Sequence, residues 1–120
     1  MNYNIKGTGL GITDELRSYV ERQLAHADKL VGDDTTAHTD VELEFSQMRD
    51  GGKYRAEYTL SCGGSVYRAS EWGTTLHEAI DLAGAALVSE LRQNKKKRLH
   101  VLRRTGTAVK EYLRGWRRKV

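Results

Sequence analysis

The sequence predicts an α+β domain of order β-α-β-β-β-α, in which two helices pack on one face of a four-stranded sheet and a basic tail follows. Three observations predict it. Two long stretches repeat their apolar residues at helical spacing, four shorter ones alternate apolar and polar residues, and glycine-bearing turns separate the later strands.

Residues 2–7 alternate Tyr3 and Ile5 against polar neighbours, the pattern of a short first strand. The stretch ITDELRSYVERQLAHADKLVG, residues 12–32, carries the marks of a helix. Thr13 is an N-cap, Asp14 and Glu15 suit the positive end of the helix dipole, and Gly32 suits the stop. Leu16, Val20, Leu24, Ala27 and Val31 define its buried stripe. In DVELEF, Val41, Leu43 and Phe45 alternate with acids. The turn RDGG leads to KYRAEYTLS, where Tyr54, Ala56, Tyr58 and Leu60 alternate with polar residues, and CGGS turns the chain into VYRASEW. Such alternation covers one sheet face and leaves the other open. The last helix begins at Thr75, which has the T-x-x-E spacing of a capping box with Glu78. Its sheet-facing stripe is Leu76, Ala79, Ile80, Ala83, Leu87 and Leu91.

With 120 residues and 38% hydrophobic content, the chain is the size of one compact domain with a single core. Cys62 is the one cysteine, so no disulfide forms within the chain, which fits a reducing compartment. The first residues lack the apolar core of a signal peptide, and no apolar run approaches the roughly 20 residues of a membrane span. A soluble, cytoplasmic protein without a membrane partner is expected.

No catalytic constellation emerges, so the chain reads as a non-enzyme with no small-molecule substrate, cofactor or metal. His77, Glu78 and Asp81 approach the zinc signature H-E-x-x-H, but the second histidine is replaced by Asp81 and no third ligand is placed. Glu78 is explained as a capping partner. Cys62 has no histidine near it in sequence and reads as a buried or half-buried structural thiol. KGTGLG lacks the Lys-Ser/Thr of a phosphate-binding loop, and the two acids that open the helix after it repel phosphate.

Charge is the informative feature. Residues 1–91 hold 8 Lys and Arg against 15 Asp and Glu, a balance of −7, whereas residues 92–120 hold 12 against the single acid Glu111, a balance of +11. Arg92, Lys95, Lys96, Lys97, Arg98, Arg103 and Arg104 crowd the end of the second helix. The helix dipole explains one or two cations there, not seven. They repel one another until phosphates replace their counterions, so a polyanion, nucleic acid before membrane, is the expected partner. Arg22, His26 and Lys29 share one face of the first helix and form a smaller ridge that extends the footprint.

These residues resemble a known family, the short ribosome hibernation factors, also called ribosome-associated inhibitors or subunit-interface proteins. ITDELRSYVERQLAHADKL is similar to the family's first helix, and VYRASEWGTTLHEAIDLAGAALVSELRQNKKK to its last strand and second helix. EAIDLA followed by LRQNKKK is the most specific part, and the likeness covers roughly residues 1–100. The resemblance implies binding to the small ribosomal subunit in the cleft facing the large subunit, on ribosomal RNA where mRNA and transfer RNA sit, which inhibits translation and protects idle ribosomes. It also places Lys95, Lys97 and, in the fourth strand, Arg68 at the family's basic positions. The chain departs from the pattern where Thr75, Leu76 and His77 replace an acid, an apolar residue and tyrosine, and where Ala86, Ser89 and Gln93 replace cations.

Two other readings compete with this one. A double-stranded RNA-binding domain has a similar layout but carries its lysines at the start of its last helix, opposite to this chain. A protein-interaction module would dock through the tail, where Val109, Tyr112, Leu113 and Trp116 have i, i+3, i+4, i+7 spacing. The expected division is a hibernation-factor-like domain over residues 1–100 and a basic tail over 101–120. Thr107 can cap a short tail helix, with Lys110, Arg114 and Arg117 opposing its stripe. The expectation is a monomer when free, whose tail orders on the ribosome.

Overall fold

The computed structural model describes residues 1–48 and 53–104, with residues 95–104 as helix backbone. The turn RDGG and residues 105–120, with the tail helix expected there, lie outside the described residues. The element order is β1 (Asn2–Thr8), α1 (Asp14–Val31), β2 (His38–Ser46), β3 (Lys53–Cys62), β4 (Ser65–Gly73) and α2 (Leu76–Arg104). The strands form one sheet in the order β1-β2-β3-β4. β1 pairs with β2 in parallel, so α1 is the crossover between them, and the remaining pairs are antiparallel.

Local chemistry sets the boundaries as the sequence leads one to expect. Thr13 Oγ1 accepts the Leu16 N–H at 3.2 Å and starts α1; Gly32, at φ 73°, ends it with its N–H on the Asp28 carbonyl. Gly63 and Gly64, at φ 57° and 79°, make the two-residue turn between β3 and β4, a conformation whose two positive φ angles favour glycine. Asp34 braces this turn from the loop after α1. It accepts the Gly63 N–H at 2.9 Å and both the N–H and hydroxyl of Thr36. The Thr36 hydroxyl, then the Thr36 and Gly63 amides, hold the Asp34 carboxyl down at about 2. Cys62, half buried beside the turn, also hydrogen-bonds Asp34.

At the start of α2 the capping differs from the expected box. Thr75 Oγ1 accepts the Glu78 N–H at 3.1 Å, but the Glu78 carboxylate reaches Thr74, taking its N–H and hydroxyl at 3.3 Å each. The close turn at Gly73 explains the shift. A Cβ on Gly73 would sit 2.8 Å from the Ala79 nitrogen, so the chain enters α2 tightly and presents Thr74 to the glutamate.

Both helices lie on one sheet face. Their stripes (Leu16, Val20, Leu24, Ala27 and Val31 on α1; Ala79, Ile80, Ala83, Leu87 and Leu91 on α2) are buried with Val41, Leu43, Ala56, Tyr58, Leu60 and Ala69 from the strands. Leu76 is only partly buried, because it sits at the helix end. The Tyr58 hydroxyl is buried and has no hydrogen-bond partner among the described residues, and burial raises its pKa.

Candidate nucleic-acid interface

The cationic end of α2 is positioned by the length of the helix. At about 1.5 Å per residue its 29 residues extend about 43 Å, against about 30 Å for the nine residues of β4 beside it. Among the described side chains, Leu91 is the last buried residue of the helix stripe, and Asn94 Nδ2 donates to the Tyr67 hydroxyl near the β3–β4 turn. From residue 95 the helix therefore runs past the sheet, for about 15 Å by its rise. Lys95, Lys96, Lys97, Arg98, Arg103 and Arg104 all lie on this overhang, while their side chains fall outside the described residues. The helix also crosses residue 100, the expected limit of the domain.

The two helices run side by side in the same direction. Tyr19 meets His77 and Asp81, and one turn later Gln23 approaches Gly84. Both C-termini thus lie at one end, where two dipoles favour positive charge. Lys29, in the last turn of α1, is exposed at the same end as exposed Arg92. Arg22 and His26 continue the ridge along α1 toward its N-terminus. Beside Arg92 on the exposed surface of α2, Gln93 Nε2 donates to Ser89 Oγ at 3.3 Å.

Arg68 stands apart from this group. It projects from β4 on the open sheet face, away from the helices, with Nε 3.6 Å from Glu57 Oε1 and its side chain 67% exposed. The structure thus gathers Arg22, Lys29 and Arg92 on the helical layer and places Arg68 across the sheet from them.

The open face also holds an arrangement that the charge count does not reveal. Glu42 and Glu57 face each other directly in the β2–β3 register, and Glu44 faces Arg55. Arg55 binds all three glutamates: Glu44 at 3.2 Å, Glu57 at 2.7 Å, and Glu42 through Nη2. Burial opposes the arginine's charge, but the three carboxylates outweigh it and raise its pKa; Arg55 in turn lowers that of Glu42. Arg55 is spent on carboxylates and offers no charge to a polyanion. The strand acids at positions 42, 44 and 57 were visible in sequence, but only the register joins them.

The near-zinc motif takes no part in metal binding geometry. His77 stacks edge-on against Tyr19 at 4.4 Å, Glu78 caps, and Asp81 accepts the Tyr19 hydroxyl at 2.5 Å. Among the described residues no group of three His, Cys, Asp or Glu is placed to hold a metal. Nor is any described helix long and apolar enough to cross a membrane. Between the N-terminal halves of the helices lies an open groove of about 430 Å³ lined by Asp14, Glu15, Ser18, Tyr19, Arg22 and His77. The sequence pattern gives no sign of Tyr19 or of this groove, which arises where α1 packs on α2 and Tyr19 meets His77.

A family model described as "Sigma 54 modulation protein / S30EA ribosomal protein" matches residues 3–99. The chain is 31% identical over 118 residues to a ribosome hibernation promotion factor of Picosynechococcus, covering 92% of this chain and 60% of that protein. It is 28% identical over 97 residues to the Bacillus subtilis protein of the same name, covering 81% and 50%. The chain therefore spans about half to three-fifths of the length of these relatives. Among solved structures, the N-terminal domain of Thermus thermophilus Protein Y is 32% identical with a TM-score of 0.68, covering 78% of this chain and 98% of that one. A ribosomal subunit interface protein of Coxiella burnetii, 18% identical with a TM-score of 0.66 over 80% and 99%, shares the fold.

Proposed function

The chain belongs to the Sigma 54 modulation protein / S30EA ribosomal protein family, and on that premise we propose that it is a ribosome hibernation factor. It binds the small ribosomal subunit in the mRNA and transfer RNA cleft at the subunit interface, inhibits translation and protects idle ribosomes. It acts in the cytoplasm, as a monomer when free, through contacts to ribosomal RNA and without catalysis.

The observation that carries this reading is the overhang of α2. By its rise, the helix continues for more than two turns past the Asn94–Tyr67 tie as a cation-rich rod, with Lys29 and Arg92 exposed at the same end. A rod of this kind presents its cations to RNA beyond the body of the domain. The helical layer faces the RNA, because around Arg55 the open sheet face carries more carboxylate than cation: one guanidinium against Glu42, Glu44 and Glu57. Arg68, at the sheet edge, meets a phosphate from the other side. The acidic start of α2, with Glu78 and Asp81, disfavours the double-stranded RNA-binding reading.

Sedimentation with separated ribosomal subunits at several salt concentrations tests the proposal. Binding to the small subunit is expected, with each phosphate neutralised steepening the log-log salt dependence by roughly 0.7–0.9. Equal binding to both subunits, or an affinity that does not change with salt, contradicts it.

A further inference from the structure

We infer that the groove between the N-terminal halves of α1 and α2 receives the base of an unstacked guanosine in single-stranded RNA; this rests on the RNA-binding reading above. The groove is a prepared aromatic seat. The Tyr19 hydroxyl is tied to Asp81 at 2.5 Å, His77 braces the ring edge-on at 4.4 Å and 75°, and the Arg22 guanidinium lies 5.5 Å from the ring centroid. Aromatic rings and guanidinium planes are the surfaces on which proteins stack single-stranded bases. At about 430 Å³ the groove admits a base and leaves it open to solvent on one side.

The rim sets the choice of base. Asp14 and Glu15 line the groove as exposed carboxylates, which only accept hydrogen bonds. Guanine presents two adjacent donors, N1–H and N2–H, that match the two oxygens of one carboxylate. Uracil has one imino donor between two carbonyls, and adenine and cytosine set an acceptor beside their amino group, which a carboxylate repels. The same carboxylates exclude phosphate, so the backbone of the bound strand must run on the other side, along Arg22, His26 and Lys29 toward the cationic ends of the helices. The helix dipole accounts for acids in the first turn of α1. It does not account for a tyrosine, an imidazole and a guanidinium assembled beside them.

Fluorescence anisotropy with the labelled RNA hexamers UUGUUU, UUAUUU and UUUUUU at low salt tests this. The guanine hexamer is expected to bind about tenfold tighter than the uracil one, given the usual size of a stacked and hydrogen-bonded base. In the Asp14→Asn/Glu15→Gln variant the ratio should fall close to one, and in His77→Ala it should fall several-fold. Salt-sensitive binding of all three hexamers with equal affinity overturns the guanine site and leaves the RNA-binding reading standing. A guanine preference that survives both variants also overturns it, as does failure to bind any hexamer by a protein that still sediments with the small subunit; loss of both overturns the RNA-binding reading as well.

Discussion

Arg55→Gln is a sharp probe of how this sheet tolerates its acids. The Arg55 side chain is 16% exposed and bridges Glu42, Glu44 and Glu57, whose side chains are 32%, 24% and 25% exposed. Glutamine keeps much of the stem but removes the charge, leaving three carboxylates on neighbouring strands, two of them directly opposed. Exposed ion pairs contribute about 0.2–1 kcal/mol each, whereas breaking a buried pair costs about 3–5 kcal/mol. The intermediate burial here places the loss at about 2–3 kcal/mol at neutral pH. The pH dependence carries the sign. In the native protein Arg55 depresses the Glu42 pKa, so its contribution is present above the ordinary glutamate range and is lost as pH falls through the lowered value. In the variant the glutamates repel one another, and protonation relieves them. Urea denaturation from about pH 7 to about pH 3.5 should therefore show the deficit of the variant shrinking as pH falls, with Glu44→Gln partly rescuing it at neutral pH. A deficit below about 0.5 kcal/mol, far under the cost expected for a part-buried pair, or one independent of pH, would refute the reasoning.

Three further outcomes follow from the same geometry. Tyr58→Phe removes a buried hydroxyl that has no partner among the described residues, so stability should hold or rise by up to about 1 kcal/mol; a fall of that size in calorimetry would show that the hydroxyl is bonded. Thr13→Ala deletes the N-cap of α1 and should cost about 1 kcal/mol in denaturant titration, and a negligible change would mean that the 3.2 Å contact contributes nothing. Asp34→Ala should speed hydrogen exchange at the Gly63 and Thr36 amides while sparing α1; in the native protein this bracing is present above the ordinary aspartate range and fades as pH falls toward about 2, and unchanged exchange would argue against it.

Much of the fold was legible because its signals are local. Thr13, Gly32, Gly63 and Gly64 act on their immediate neighbours, and alternation along β2 and β3 marks the buried face within each strand. What depends on register was not legible. The Glu42–Glu57 opposition, the Arg55 bridge and the parallel placement of α1 beside α2 require residues far apart in sequence to meet. The same holds for the interface. The cationic helix end was plain in the charge count, but only the Asn94–Tyr67 tie shows where along the sheet the helix lies at that point. That Arg68 stands on the opposite face from Arg22, Lys29 and Arg92 follows from the pairing of β4 with β3 and the packing of both helices on the other side.

The central claim is that the overhanging end of α2 grips ribosomal RNA, and replacing Lys95, Lys96, Lys97 and Arg98 with glutamine tests it most directly. These positions lie past the Asn94–Tyr67 tie, and each favourable term with the helix dipole is only about 0.3–1 kcal/mol, so the melting temperature should change little. Binding to purified small subunits and inhibition of a translating extract should both fall sharply. Because four phosphates would no longer be neutralised, the log-log salt slope should become shallower by about 3. A folded quadruple variant that binds and inhibits as the native protein does would contradict the account.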